Sequence, residues 1–447
     1  MSSTILLFAV YVSVAAAWTY GIASLILTCR NRQFWRSHSR QAPPILVEYP
    51  KICLIVPCKG MEHRLRENLT AYVHQDHPNF ELQFVVESED DSAVNLIRNI
   101  MRENRHVPSR LVVAGRATHC GQKVHNLRCA TDQLAGDIEV LVFADSNLCP
   151  QPSWLKWLAT GIENENVVAK TGYRWMVPLD KSFPTLLGCT INNTCAALFG
   201  RGTRFLVWGG NWAIHREVFN AVGIRDAWDG TLSDDLVASR VLFYSHLPVQ
   251  FEPQSVCVSH VKFTTMTLFA FLRRQFVVAR RYTSTYWLVA LWGALLTQAG
   301  YWSALIVGCV AISRGSPTGL WLLGSSTLLF LLGIGKALIR QNMGRIVTSE
   351  WRKYRRARKF DIAAGPMTGL FATLVMVCSA FGNQISWRGI RYYISRGGRV
   401  VFLGRNLVSE AGPIASGPRM YLRRETPVEP SNRDFVQERD VVQKRAA

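Results

Sequence analysis

Three long runs of this chain are almost free of charge, and they decide where much of it must reside. Residues 5–27, 286–312 and 320–338 contain one charged side chain, Lys336. A helix of about 20 apolar residues spans the ~30 Å hydrocarbon layer of a bilayer. The first run has no basic residue before it and Arg30, Arg32 and Arg36 after it. That asymmetry describes a signal anchor, with the N-terminus outside and the following domain in the cytoplasm. The two later runs, joined by a turn at Gly315 and Pro317, carry the chain out and back and leave the basic stretch 340–359 inside. A fourth run, 362–381, is broken by Gly365, Pro366 and Gly369 and closed by Gly382. Full crossing would place a basic tail outside, and a re-entrant or interfacial element would not; the sequence leaves both open.

The formal net charge of +20 on 447 residues concentrates in 340–359 and 388–405, beside apolar runs. Such placement suits an anionic membrane surface and argues against nucleic acid as a partner. Eleven cysteines are scattered with no CxxC pair. Neither a metal knuckle nor a disulfide framework is indicated, and reduced thiols in a cytosolic compartment are expected.

Between residues 45 and 265 the pattern changes. Short apolar segments (52–56, 82–86, 111–114, 140–144) alternate with amphipathic ones (62–74, 93–103, 124–134). Continuous apolar strands between helices predict an α/β domain with a mainly parallel sheet covered on both faces. Ligands of such sheets bind at the carboxyl ends of the strands. There the sequence places Pro57-Cys58-Lys59-Gly60, then Glu87-Ser88-Glu89-Asp90-Asp91, then Asp145. An isolated carboxylate costs several kcal/mol, roughly, to bury, so Asp145 must face water, a cation or a ligand. Farther on, Gly209-Gly210 permits close backbone approach. Asp234 and Asp235 open a helical stretch; one acid serves as a cap, and the second is left for chemistry or for a further structural role. Acids at strand ends suit a phosphate-bearing substrate held through Mg²⁺ or Mn²⁺, with Asp145 as an oxygen ligand. Lys59 and Lys123 would offset phosphate charge, or stand as solvated surface residues.

The order of these motifs resembles a known family. "VPCKG", the acid cluster, "GQKVHNL", "ADSN", "GGNWAIHR", "SDDL", a basic amphipathic stretch and "SWRGIRYYISRGGRV" follow one another from about residue 51 to 399. They are similar to the membrane-bound family 2 and 21 glycosyltransferases, and most to the ceramide glucosyltransferase branch. That resemblance implies a GT-A fold, a UDP-sugar donor, a divalent metal, and inverting transfer of a hexose to a lipid hydroxyl. It implies Asp235 as general base, Asp145 on the metal–diphosphate, and Pro57, Lys59, Glu87, Ser88, Lys123, Asp234 and Arg281 around the donor. Two positions depart from the pattern. Ser88 stands where an acid is usual, which leaves Glu87, Glu89 or Asp90 to contact the uridine. Val278 opens the membrane-proximal motif that ends at Arg281-Tyr282, where a polar residue is usual. His260 is either a third metal ligand or a core or surface histidine.

The expected organisation is an anchor and linker (1–44), a catalytic domain (45–265), an interfacial segment (266–285), membrane segments (286–385) and a basic tail (386–447) with a disordered end. The acceptor could be ceramide, diacylglycerol, a hopanoid or another membrane lipid. Rival readings are a processive polysaccharide synthase, a transporter, or an inactive scaffold. Few spans and few ionisable residues within them oppose a transporter.

Overall fold

A computed structural model describes residues 3–43, 45–162 and 167–405. The end of the tail expected to be disordered lies outside them. The chain begins with α1 (Ser3–His38). It then alternates β1 (Ile52–Pro57), α2 (Leu65–Val73), β2 (Phe80–Val86), α3 (Val94–Glu103), β3 (Ser109–Val113), α4 (Gln122–Thr131) and β4 (Val140–Ala144). Next come α5 (Trp154–Ala159), β5 (Ala169–Thr171), β6 (Arg174–Pro178), α6 (Phe183–Ala196) and β7 (Asn211–His215). They are followed by α7 (Arg216–Ala221), α8 (Ile224–Ala227), α9 (Asp234–Tyr244), β8 (Val249–Phe251) and β9 (Cys257–Val261). The membrane-proximal part contains α10 (Thr265–Tyr282), α11 (Ser284–Ser313), α12 (Thr318–Val347), α13 (Arg355–Ala363) and α14 (Gly365–Ser379). Three strands close the described chain: β10 (Gln384–Trp387), β11 (Ile390–Ile394) and β12 (Val400–Arg405).

Seven strands form one sheet in the order β3-β2-β1-β4-β7-β5-β8. β1 to β4 run parallel, and β7 is antiparallel to both of its neighbours. Every residue of β4 is buried, as a strand covered on both faces requires. Phe143 stacks on Trp212 at 4.6 Å and meets Trp228 edge-on. These contacts lock the β4–β7 pair whose ends carry the acids discussed below.

The anchor helix is a structural part of the α/β domain. α1 runs eleven residues past the apolar stretch ending at 27, and that extension is seated in the domain. The Trp35 indole N–H donates to the Phe199 carbonyl at 2.9 Å, and Asn31 Nδ2 to the Ala197 carbonyl at 2.9 Å. Trp35 packs against Trp175 and Phe251, and Trp175 against Trp351 after α12.

Among the described residues, α1, α11 and α12 are long and apolar enough to cross a membrane. α14 is different. Its 15 residues reach about 22 Å, short of the hydrocarbon thickness. The helical segment before it is bent from it by 78°. Phe360 of α13 meets Phe183 of α6, and Asp361 pairs with Arg340. At the far end, Arg273 of α10 donates to the carbonyls of Phe381 and Gln384, both at 2.9 Å. Both ends of α14 are thus tied to elements of the α/β side, and the bent α13–α14 pair is a broken span or a re-entrant loop.

The first part of the stretch read as a basic tail is a sheet. β10, β11 and β12 pair antiparallel. Ile390, Tyr392 and Ile394 are buried in alternation with exposed Arg391 and Tyr393. Period-two burial of apolar residues makes a one-sided strand, whatever the net charge of the segment.

Candidate active site

The site is built at the carboxyl end of β4. The Asp145 backbone N–H donates to the Gly210 carbonyl at 3.0 Å, and its carbonyl accepts from the Tyr72 hydroxyl at 2.8 Å. These two bonds fix the backbone and leave the carboxylate facing inward to the crevice, 28% exposed. Lys123, on the first turn of α4, places Nζ 3.0 Å from Asp145 Oδ1, 3.3 Å from Asp234 Oδ2 and 2.9 Å from the Gly209 carbonyl. Asp234 and Asp235 open α9. Asp235 Oδ2 accepts from the Gly209 N–H at 3.0 Å, and Oδ1 accepts from the Leu236 N–H at 2.8 Å and from the Ser233 hydroxyl at 2.5 Å. Lys123 therefore links the end of β4 to the start of α9, across 90 residues of sequence.

Gly209 and Gly210 are required by this convergence. A Cβ on Gly209 would lie 2.6 Å from Asp234 Oδ2, and one on Gly210 would lie 2.7 Å from Asp145 Oδ2. The N-cap of α9 is Ser233, whose side chain accepts from Leu236 N–H. Asp235 Oδ1 shares that N–H with the cap, so capping accounts for part of Asp235 and for none of Asp234, whose carboxylate instead faces Lys123.

Electrostatics separate the two acids. Burial pushes the Asp234 carboxyl up to about 7, against the pull of Lys123 and with help from Asp235 and Asp145. Burial alone would lower the Lys123 ammonium; Asp145, Asp234 and Asp235 outweigh it and hold the ammonium raised. Asp234 is 3% exposed, whereas Asp235 is half-buried.

The other positions singled out in the sequence are distributed as follows. Pro57 ends β1 in register with Val85. Lys59 pairs with Glu87 at 2.5 Å, and Glu87 is also held by Arg405 from β12. The Ser88 hydroxyl accepts from the Asp90 N–H at 3.2 Å, so it closes a local turn. His260 lies on β9 with Nε2 against Arg64. Burial, then Arg64, lowers its pKa to about 4. A guanidinium at that nitrogen leaves no place for a cation. Among the described residues no group of three His, Cys, Asp or Glu side chains could by itself hold a metal.

Arg281 is not brought to Asp145. It donates to the Asn383 side chain, and Arg280 donates to the carbonyl of Ala380 at 2.6 Å. Besides Lys123, the cations that feel Asp145 are Arg174 and Arg274. Arg174, on β6, lies over the rings of Trp208 and Phe271, 5.3 Å from each centroid. Arg274 lies over Phe271 and Trp387. Burial, then Arg174, lowers the Arg274 pKa to about 10, against the pull of Asp145. The helix α10 carries arginines at 273, 274, 280 and 281, and spacing alone could not tell which turn faces the acids. Arg174 was missed because it sits in a strand with no motif around it. Tyr282 does reach the site: its hydroxyl accepts from Leu232 N–H at 2.8 Å and donates to the Gly398 carbonyl at 2.5 Å.

A family model described as Glycosyl transferase family 21 matches residues 10–400. Ceramide glucosyltransferase 1 of Caenorhabditis elegans is 24% identical over 136 residues, 30% of this chain and 28% of that protein. Ceramide glucosyltransferase of Komagataella phaffii is 27% identical over 134 residues, 29% of this chain and 24% of that protein. The alignments thus span about a quarter of these curated relatives. Among solved structures, the mannosyltransferase PcManGT from Pyrobaculum calidifontis, in complex with GDP-Man and Mn²⁺, has a TM-score of 0.41 at 15% identity. It covers 81% of this chain and 99% of that one.

Proposed function

Because the chain belongs to glycosyl transferase family 21, we propose that it is a membrane-embedded hexosyltransferase. It moves a sugar, glucose or a related hexose, from a UDP-sugar to the hydroxyl of a membrane lipid such as ceramide. The observation that carries this reading is the convergence of Asp145 and Asp234 on Lys123, with Asp235 on the adjoining Gly209.

The residues present suit a divalent cation. Asp145 offers a partly exposed carboxylate beside an ammonium, and Asn147 Oδ1, two residues on, is buried without a hydrogen-bond partner. Mg²⁺ and Mn²⁺ are commonly held by one or two protein oxygens plus substrate phosphates. Asp145 and Asn147 would hold the metal, which when bound neutralises charge on the donor diphosphate. Lys123, Arg174 and Arg274 stabilise the negative charge that grows on that diphosphate as the glycosidic bond breaks. Lys59 and Glu87 line the nucleoside side of the crevice, with Pro57 and Ser88 shaping its backbone.

Asp235 is the general base. Three donors orient its carboxylate, which is less enclosed than that of Asp234 and takes the proton of an incoming hydroxyl. Asp234 is too enclosed for that task and balances Lys123 instead. Attack from the face opposite the departing diphosphate inverts the anomeric centre. The acceptor reaches the site from the bilayer, past the amphipathic α10, and the basic 340–359 stretch sets the catalytic domain on the cytoplasmic side. Incubating purified protein with a panel of labelled UDP-sugars and lipids tests the reading. A labelled glycolipid is expected, and label in soluble or polymeric product alone would overturn it.

A further inference from the structure

The Trp387-Arg388-Gly389 turn joins β10 to β11 and has no part in the reaction described above. Arg388 and Gly389 adopt φ 51° and 75°, as the two central residues of a tight hairpin turn require, and this turn geometry fixes the Arg388 backbone. The turn reaches the crevice between β1 and β4. Arg388 pairs with Glu62, from the loop after β1. Glu62 Oε2 in turn accepts from the Ser146 hydroxyl at 3.2 Å, one residue after Asp145. The guanidinium also lies within Coulombic reach of Cys58 at the end of β1. A cation from the far end of the described chain is thus delivered over the gap where the parallel strands end.

The sheet that carries this turn is pinned elsewhere. The Tyr392 hydroxyl accepts from the Gln122 N–H at 3.2 Å. Arg405 pairs with Glu87 and donates to Gln122 Oε1 at 2.9 Å. The Val400 N–H donates to the Gly230 carbonyl at 2.9 Å. Arg388 is the loose end by comparison: its side chain is 44% exposed, while that of Glu62 is 13% exposed.

Building on the nucleotide-sugar reading, we propose that Arg388 is a donor-binding residue which Glu62 holds in waiting, and that the donor diphosphate displaces Glu62 from it. A guanidinium makes the same forked contact to a carboxylate and to a phosphate. An ion pair with one partner open to water is weak and exchanges readily. Glu62 keeps the cation oriented and neutralised while the crevice is empty, and it competes with the ligand that replaces it.

The two partners therefore have opposite expected effects. UDP, GDP and inorganic diphosphate are titrated, with Mn²⁺ present, into the full-length protein and into Arg388→Gln, Arg388→Lys and Glu62→Gln by calorimetry. Removing a charged contact to phosphate should weaken the nucleotide and inorganic diphosphate roughly ten- to hundredfold in Arg388→Gln. Arg388→Lys should recover part of the loss, and Glu62→Gln should tighten binding. Thermal melting checks that each variant folds; should Arg388→Gln fail to fold, the opposite signs expected for Arg388→Lys and Glu62→Gln decide the matter. Unchanged affinity in the Arg388 variants, or weakening in Glu62→Gln equal to that in Arg388→Gln, would overturn the proposal and leave a purely structural latch. If the unaltered protein transfers sugar and only the variants fail to differ, the donor reading stands and this one falls. If the unaltered protein binds neither nucleotide nor diphosphate, both fall.

Discussion

Lys123 shows how much one side chain can organise. Its ammonium touches carboxylates from two elements and the carbonyl of Gly209. Three acids could not share this crevice without it, because like charges in a confined space repel or protonate. Outside the crevice, His77 illustrates the reverse case. It is 4% exposed, and burial, then Lys156, lowers its pKa from 6.5 to about 4. A histidine kept neutral by folding lends stability that is complete above the unfolded-state pKa and is lost as the pH falls from 6.5 towards 4. The ceiling of that loss is on the order of 3 kcal/mol. Thermal melting between pH 7 and 4.5 should show a falling midpoint, with a shallower fall in His77→Gln; equal slopes would remove His77 as the cause.

At the scale of elements, the bent α13–α14 pair is held in part by a buried ion pair. Arg340 and Asp361 are 10% and 8% exposed, and Gln341 donates to the same carboxylate. Removing one partner strands a buried charge, at a cost of about 3–5 kcal/mol. Asp361→Ala should therefore lower the melting temperature in detergent markedly, and the double change Arg340→Met with Asp361→Leu should recover much of it. How far each element could be read from sequence followed from where its information lay. β1 to β4 were visible because a strand buried on both faces must be apolar throughout. Asp145 and the Asp234–Asp235 pair stand out because charge at the edges of such strands and helices has no packing role; Lys123 reads equally as a solvated surface residue, and the family resemblance is what singles it out. β10–β12 were obscured because arginines on their exposed face dominated the composition of the segment. Arg274 and Arg281 stand seven residues apart on α10, so both satisfy a helical periodicity. Only the packing of α10 beneath Trp387 distinguishes them.

At the scale of the whole molecule, α1 is seated on the α/β domain at Phe199 and Trp175, and the β10–β12 sheet is pinned to it at Gln122 and Glu87. Labelling from either side reads the sidedness of the proposed spans. A cysteine introduced at Ser316, between α11 and α12, should react with an impermeant thiol reagent from the face opposite the catalytic domain. One at Ser386, after α14, should react from the same face as one at Arg105. Opposite sidedness for positions 386 and 105 would mean that α14 crosses fully. Asp235 is proposed to take the proton of a lipid hydroxyl beside a bound nucleotide-sugar. The most direct test is the rate at which purified Asp235→Asn, reconstituted with lipid acceptor, Mn²⁺ and labelled UDP-sugar, forms labelled lipid. A loss of roughly 10²–10⁴-fold with nucleotide affinity retained is expected; transfer at the unaltered rate would rule Asp235 out as the base.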